Sequence, residues 1–127
     1  MARSSDTRAA FGRAGERHTR LYLEARGYRF VAANWRCRAG ELDLVMRDGA
    51  ELVFVEVKAR TGDWAGHASE AVTSIKASRV LDAAEAFIAA HPEFDDDVWR
   101  CDIVAVTLAR DGLVSAVDHF VNAIYED

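Results

Sequence analysis

The sequence has few of the residues from which disulfide frameworks, zinc sites and interdomain linkers are built. Its 127 residues include two cysteines and one proline. Cys37 and Cys101 are far apart, and neither belongs to a spacing typical of zinc or redox motifs. The four histidines, at positions 18, 67, 91 and 119, also lack ligand spacing. We therefore expect two reduced thiols, and oxygen atoms as the ligands of any bound metal.

Long apolar runs are also missing. The first twenty residues are rich in arginine and lack the continuous hydrophobic stretch of a signal peptide or membrane segment. We therefore expect no membrane partner and a cytoplasmic location. Half of the residues are hydrophobic, and no repeat or low-complexity tract divides the chain. This predicts a single domain over residues 8–127, preceded by a flexible N-terminus at residues 1–7.

Charge is unevenly distributed along the chain. The net charge of −5 taken alone argues against a nucleic-acid partner. Residues 1–38, however, hold nine arginines against three acidic residues, a local balance of +6. Residues 63–127 hold four basic residues against thirteen acidic ones, a balance of −9. The basic part is either a face for phosphate groups or an ordinary solvated tail, and the sequence leaves both open.

Hydrophobic periodicity predicts the order α-β-β-β-α-β-β. A first helix is expected over residues 8–26, closed by Gly27, and a second from residue 69 or 74 to residue 90, before Pro92. Five strands are expected, at residues 28–33, 41–47, 51–58, 99–108 and 113–120. An Asp48-Gly49 turn joins the second strand to the third. Together these elements predict an α/β fold with a central mixed sheet flanked by helices.

The first helix has two candidate buried faces. One stripe consists of Phe11, Ala14, His18, Leu21, Tyr22 and Ala25. The other consists of Gly12, Gly15, Thr19, Tyr22 and Leu23. Both cannot be the main contact with the sheet, and the sequence does not choose between them.

Residues 40–60, GELDLVMRDGAELVFVEVKAR, contain the pattern that points to chemistry. Strand side chains alternate between faces, which predicts one face for Leu42, Leu44 and Met46 and the opposite face for Glu41, Asp43 and Val45. In the next strand, Glu56 and Lys58 interrupt an otherwise buried-type run, VFVEVK, and share a face. If the intervening turn has an even number of residues, Glu41 and Asp43 lie beside Glu56 and Lys58.

Such a cluster of carboxylates is unfavourable without a cation. Two carboxylates about 5 Å apart repel by roughly 3 kcal/mol at an effective dielectric constant near 20. Mg²⁺ or Mn²⁺ reverses this term, because hard cations favour oxygen ligands. A lysine on the same face can hold an attacking water or a phosphate. The pattern is therefore typical of metal-assisted phosphodiester hydrolysis, although an ordinary charged strand surface explains it as well.

Further residues carry a resemblance to a known family. They are Gly15, Glu16, Tyr22, Leu23, Gly27, Tyr28, Asn34, Arg36, residues 40–43, residues 54–58, Arg60, Gly66, Lys76, Arg100 and Asp102. In this ordered set, which spans residues 12–124, the chain resembles the YraN-like family of uncharacterised bacterial proteins. That family is similar in fold to restriction endonucleases and archaeal Holliday-junction resolvases. It often has alanine where this chain has Thr19, and phenylalanine where it has Cys101.

The resemblance implies a restriction-endonuclease-like fold and a nuclease site formed by Asp43, Glu56 and Lys58. It also implies Glu16 as an additional metal ligand, with Glu41 as a residue of either metal-binding or structural role. The expected phosphate contacts are Arg36, Arg38, Arg60, Lys76 and Arg79, and Trp64 is a candidate for stacking on a base. By analogy with resolvases, two copies of the chain would pair as a homodimer.

Three functions follow as hypotheses. The leading one is a Mg²⁺- or Mn²⁺-dependent endonuclease acting on DNA, on branched or damaged structures in repair or recombination. The second is a non-catalytic nucleic-acid-binding module with the same fold. The third is a protein–protein adaptor that uses the acidic segment at residues 93–97. A nuclease-like fold does not by itself choose among them.

Overall fold

The computed structural model describes residues 4–61 and 74–125, with side chains described at residues 12–60 and 77–125. In chain order, the elements are α1 (Ser4–Glu24), β1 (Arg29–Cys37), β2 (Gly40–Asp48), β3 (Glu51–Thr61), α2 (Ser74–Ala90), a short 3₁₀ helix (Pro92–Phe94), β4 (Val98–Leu108) and β5 (Val114–Ile124). The predicted order α-β-β-β-α-β-β is confirmed.

The strands form a five-stranded mixed sheet in the order β1-β2-β3-β4-β5. Adjacent strands are antiparallel except for β3 and β4, which are parallel. A parallel pair needs a crossover connection, and α2 lies on that connection. The helices cover opposite faces of the sheet, so the prediction of a mixed sheet flanked by helices is confirmed.

The core consists of two layers, one on each face. The layer under α2 contains Leu42, Val45, Leu52, Phe54, Val80, Ala83, Ala84, Phe87, Cys101, Ile103 and Ile124. The layer under α1 contains Leu23, Leu44, Met46, Val53, Val55, Val104, Val106 and Leu108. β3 and β4 contribute to both layers, because these central strands are covered on both sides.

Helix α1 packs through the stripe that contains Gly15, Thr19 and Leu23. All three residues are buried, whereas Leu21 of the competing stripe is 56% exposed. A Cβ atom placed on Gly15 would lie 3.0 Å from the Cβ of Ala59 in β3. The helix therefore approaches the sheet as closely as a residue without a side chain allows, which settles the choice that the sequence left open.

Two predicted turns are confirmed by their backbone geometry. Gly27 ends α1 with φ of 92°, and the N–H groups of Gly27 and Tyr28 bond back to the carbonyls of Glu24 and Leu23. This is the double hydrogen bond of a Schellman cap, whose left-handed position favours glycine. Gly49, with φ of 62°, begins a two-residue loop between β2 and β3. The even loop length required for the predicted register is therefore present.

Several elements are longer than their hydrophobic patterns predict. α1 begins at Ser4 instead of residue 8, β1 continues to Cys37, and β3 continues to Thr61. In β1, Arg36 is exposed while its backbone still pairs with β2, so its polar side chain interrupts the hydrophobic pattern by which a strand is predicted. None of the helices within residues 4–61 and 74–125 is both long and apolar enough to cross a bilayer.

Candidate active site

The predicted acidic residues meet where β2 and β3 stop pairing. The final pair of this ladder is Leu44 with Val55, and the next residues along the two strands are Asp43 and Glu56. Odd positions of β2 face even positions of β3, as predicted. Asp43 Oδ2 accepts a hydrogen bond from the backbone N–H of Val57 at 2.9 Å. The Asp43 carboxyl group therefore joins the two strands just beyond the ladder.

One predicted detail of β2 is wrong, because Leu42 does not share a face with Leu44 and Met46. Leu42 packs in the layer under α2, whereas Leu44 and Met46 pack under α1. The change of side coincides with a missing step in the β1–β2 ladder, between Asn34 and Asp43. Asn34 has a left-handed backbone with φ of 53°. Regular alternation requires continuous pairing, so the interruption allows β2 to change sides at Asp43.

Glu56 and Lys58 form an ion pair at the same place on β3. Lys58 Nζ lies 3.5 Å from Glu56 Oε2, and the two side chains are 12% and 6% exposed. Charges that are this buried need partners, since desolvation of a lone carboxylate costs several kcal/mol. The predicted grouping of Asp43, Glu56 and Lys58 is thus present as an arrangement of neighbouring side chains.

Glu16 approaches this group from α1. Its side chain is partly buried and accepts a hydrogen bond from the Asn34 side chain, which lowers its pKa. Burial is the larger effect, and together with the nearby charges of Glu41 and Glu56 it raises the pKa of Glu16 above the ordinary value. Glu16 therefore lies close enough to interact electrostatically with Glu41 of β2 and Glu56 of β3. We refer to Glu16, Glu41, Asp43 and Glu56 as the acid cluster.

Asp43 is the residue on which the negative charge of the acid cluster acts most strongly. Burial raises its pKa, and the neighbouring carboxylates of Glu56, Glu16 and Glu41 raise it further, to about 7. The hydrogen bond from Val57 N–H opposes this rise and is the weaker effect. Four carboxylates lie together here, with ion pairs to Lys58 and Arg36 among the described side chains, so the cluster favours either a proton or a metal cation.

The oxygen donors of the acid cluster fit a hard divalent cation with two protein ligands. In the described part of the chain, no three His, Cys, Asp or Glu side chains converge into a ready metal-binding group. Mg²⁺, however, is commonly held by one or two carboxylates, with waters and substrate phosphates as its other ligands. Asp43 and Glu56 supply such a pair, while the roles of Glu16 and Glu41 as further ligands remain predictions.

Glu41 lies at the exposed side of the cluster, next to a predicted phosphate contact. Arg36 Nε is 3.6 Å from Glu41 Oε2, with the two side chains 81% and 37% exposed. An ion pair this exposed contributes little to stability. Arg38 is exposed in the turn between β1 and β2. Arg36 and Arg38 therefore remain accessible to a charged ligand near the cluster.

The other predicted contacts are placed in part. Arg60 is half-buried near the end of β3, and its guanidinium donates to the Ala59 carbonyl at 3.4 Å. Arg79 is exposed on α2, and its Cβ would lie 3.8 Å from a Cβ on Gly40, so α2 reaches the β1–β2 hairpin. Lys76 belongs to α2, but its side chain lies outside the described residues, as do Gly66 and Trp64.

Arg100 and Asp102, which the family resemblance singled out, form a separate network. Arg100 donates to Asp102 at 3.0 Å and to the Tyr28 hydroxyl at 2.9 Å, and it also pairs with Glu51. Asp102 is fully buried and lies 2.8 Å from His119 Nε2. It also accepts a hydrogen bond from the Asn122 backbone N–H at 2.8 Å. The network joins β3, β4 and β5 to Tyr28, in the connection between α1 and β1, so it ties distant parts of the fold together.

Sequence reasoning missed the part that Asn34 plays at the site. Its side chain holds Glu16, and its backbone marks the interruption beside Asp43. Asparagine tolerates positive φ better than most residues, which was the only available signal. That signal is weak at a residue that lies between two predicted strands. Sequence reasoning also missed His119 and Tyr28, because their partners, Asp102 for His119 and Arg100 for Tyr28, are distant in the sequence.

Comparison with known proteins places these residues in a family context. A family model described as uncharacterised protein family UPF0102 matches residues 15–106. A UPF0102 protein of Chloroflexus aurantiacus is 42% identical over 116 residues, covering 91% of this chain and 93% of the relative. One from Pelotomaculum thermopropionicum is 43% identical over 119 residues, covering 94% and 98%. One from Beutenbergia cavernae is 47% identical over 110 residues, covering 87% and 92%.

Proposed function

Since the chain belongs to the uncharacterised family UPF0102, whose name states no activity, we propose its function from the site: a metal-dependent endonuclease that hydrolyses phosphodiester bonds in DNA. The observation that carries the proposal is the adjacency of Asp43 and Glu56 at the end of the β2–β3 ladder, with Lys58 paired to Glu56. Branched or damaged DNA, in repair or recombination, is the proposed substrate.

In this proposal Asp43 and Glu56 hold Mg²⁺ or Mn²⁺, and Glu16 and Glu41 contribute from the edges of the cluster. When bound, the cation supplies positive charge that polarises a phosphodiester group. The carboxylates fix the position of that charge, because Asp43 is tied to Val57 N–H and Glu56 is buried in β3. The cation offsets the repulsion between the carboxylates, and this favours its binding.

Lys58 has a second role in the proposed reaction. Its ammonium lies on the same face as Glu56 and is only 12% exposed, so few waters screen it. It can donate hydrogen bonds to a phosphate oxygen whose negative charge grows during hydrolysis, and it orients the attacking water. Such a preorganised donor is typically worth roughly 100- to 1,000-fold in rate. Arg36, Arg38, Arg60, Lys76 and Arg79 contact phosphates around the scissile bond.

Cleavage of branched and single-stranded DNA with Mn²⁺ tests the assignment. We expect Asp43→Asn, Glu56→Gln and Lys58→Met each to lower the rate roughly 100-fold or more. Glu85→Gln is the matched control, because it removes one carboxylate from an exposed position on α2. If the three site variants cleave as fast as this control, the nuclease assignment is wrong.

A second candidate, a non-catalytic nucleic-acid-binding module, is favoured by one observation. The described residues hold no three-ligand metal group, while arginines are exposed on α1 and on the β1–β2 hairpin. In that case, DNA binding falls steeply with salt and is indifferent to Mg²⁺ and to Glu56→Gln. Calorimetric titration with Mn²⁺ separates the two, since the nuclease binds the ion at millimolar concentrations and Asp43→Asn weakens that binding.

A further inference from the structure

A cleft of about 250 Å³ lies between α1 and the β1–β2 edge of the sheet. Its walls include Arg13, Glu16, Arg17 and Arg20 of α1, and Phe30 and Asn34 of β1. None of the three arginines was singled out as a phosphate contact from the sequence. The cleft combines positive charge with an aromatic ring, which is the combination found where proteins hold single-stranded nucleic acid.

The cleft is continuous with the acid cluster through Glu16. Glu16 lines the cleft, and the same carboxyl group senses the charges of Glu41 and Glu56. Asn34, its hydrogen-bond partner, also lines the cleft and sits at the ladder step beside Asp43. A chain that passes through the acid cluster therefore has the cleft directly on the α1 side.

Arg13 and Arg17 are available for phosphate groups. They are one helical turn apart, at positions i and i+4, so both point from the same side of α1. Both are exposed, and within the described part of the chain neither is in an ion pair with an acidic side chain. Two guanidinium groups at this spacing can contact successive phosphates of one strand.

Arg20 and Phe30 form a flat surface in the same cleft. The Arg20 guanidinium lies 3.7 Å from the centre of the Phe30 ring, and Arg20 Nε is 3.1 Å from Glu24 Oε2. The contact with the ring and the ion pair together restrain the position of the guanidinium over Phe30. Phe30 is still 37% exposed although it is aromatic. Unpaired bases stack on aromatic rings and on arginine planes of this kind.

The open shape of the cleft fits part of a polymer. Its volume of about 250 Å³ is close to the lower end of the roughly 300–1,000 Å³ of small-molecule pockets, but it is open to solvent instead of enclosed. It suits a single unit of an extended chain whose neighbouring units lie outside it. Its arginines select a polyanion, and the Arg20–Phe30 surface selects one that carries flat bases.

We propose that this cleft holds an unpaired strand of nucleic acid next to the scissile phosphate, with Arg13 and Arg17 on its phosphates and Arg20 stacked on a base. The proposal rests on the nuclease assignment, because only a cleaved substrate has a scissile phosphate. It adds that this substrate has a single-stranded segment beside a duplex. A fully paired duplex gains nothing from Arg20, since its bases are not exposed for stacking.

Binding of labelled oligonucleotides in the presence of a chelator tests this without any cleavage. The probes are a blunt duplex and the same duplex with a single-stranded tail, each in DNA and RNA versions. Wild-type protein is expected to bind the tailed probe more tightly. Arg13→Gln with Arg17→Gln should reduce the slope of log K against log salt by about 1.4, since each phosphate contact on a single strand contributes about 0.7. The matched control, Arg26→Gln with Arg29→Gln, removes the same charge outside the cleft.

Arg20→Lys provides the decisive variant, because it keeps the charge and removes the plane. Loss of one stacked base corresponds to roughly 5- to 150-fold in affinity, expected for the tailed probe and not for the blunt one. Equal effects of the cleft and control pairs, equal affinity for both probes, or no binding at all would overturn the proposal. Failure of Mn²⁺-dependent cleavage with these binding results intact would reject the nuclease assignment alone. A preference for RNA would change the sugar that is recognised and leave the role of the cleft supported.

Discussion

Two aspartates of this protein, the buried Asp102 and the partly buried Asp43, experience opposite electrostatic environments. Asp102 has Arg100 and His119 beside it, and these partners, with the Asn122 backbone N–H, hold its pKa below the ordinary value despite burial. Asp43 has a comparable backbone hydrogen bond from Val57, but its charged neighbours are carboxylates, and its pKa is raised to about 7. Among the described side chains, the charge of Asp102 is compensated by cationic partners, whereas the charges that act most on Asp43 are those of other carboxylates. This contrast is the one expected between an acid that stabilises the fold and an acid that binds a cation, as proposed for Asp43.

The largest expected effect comes from removing the compensated acid. Asp102→Ala leaves the buried Arg100 guanidinium without its central carboxylate and should lower the free energy of unfolding by roughly 3–5 kcal/mol. Urea denaturation measures this directly. Asp118→Ala, on an exposed position of β5, is the control and should change the value by less than about 0.5 kcal/mol. A loss of similar size in both variants would remove the distinction between the two aspartates.

The uncompensated acid should show the reverse behaviour. Asp43→Asn removes one charge from a repulsive cluster, so the free energy of unfolding should stay unchanged or rise by about 1 kcal/mol. The same substitution should lower Mn²⁺-dependent cleavage roughly 100-fold or more. Parallel denaturation and cleavage measurements on one preparation give both numbers. A clear loss of stability would mean that Asp43 is a structural residue like Asp102.

The pH dependence of stability follows from the lowered pKa of Asp102. An acid whose pKa is lower in the folded state stabilises the fold at pH values above its unfolded pKa, about 3.9. That stabilisation is lost as the pH falls through the folded pKa. Asp102→Asn should therefore show a smaller loss of stability between neutral and acidic pH than the wild type. Parallel pH profiles of the two proteins would contradict the assignment.

The smallest effect concerns a third buried polar group, Thr19, which extends the comparison to an uncharged side chain. Its hydroxyl is buried, and it has no hydrogen-bond partner in the described structure. Thr19→Val keeps the shape and removes the unsatisfied group, so the free energy of unfolding should rise by about 1 kcal/mol. Thr19→Ser keeps the hydroxyl and loses a methyl group, and thermal denaturation should show it below the wild type. A destabilising valine would mean that the hydroxyl has a partner.

The order of elements and the central acid pair could be predicted because both depend on local rules. The two-residue loop at Gly49 and the pairing of residues 44–48 with residues 51–55 fix the register that sets Asp43 beside Glu56, although the alternation predicted at Leu42 is wrong. The mixed sheet followed from the helix between β3 and β4.

The remaining features depend on contacts that are distant in the sequence. The face of α1 is fixed by the approach of Gly15 to Ala59, and the network of Asp102 links β4 to Tyr28, Glu51 and His119. The change of side at Leu42 depends on the backbone of Asn34, in another strand. No pattern within a single element contains this information, since each case requires the packed sheet.

The contact between Gly15 and Ala59 has a consequence for any attempt to alter this enzyme candidate from a distance. Glu16 is the next residue on a rigid helix, so a methyl group added at position 15 would move α1 outward and carry the Glu16 carboxyl with it. The size of the side chain at position 15 thus sets the distance between the Glu16 carboxyl on α1 and the carboxyl groups on β2 and β3. A larger side chain at position 15 would therefore change the distances between the carboxyl groups of the acid cluster without replacing any acidic residue.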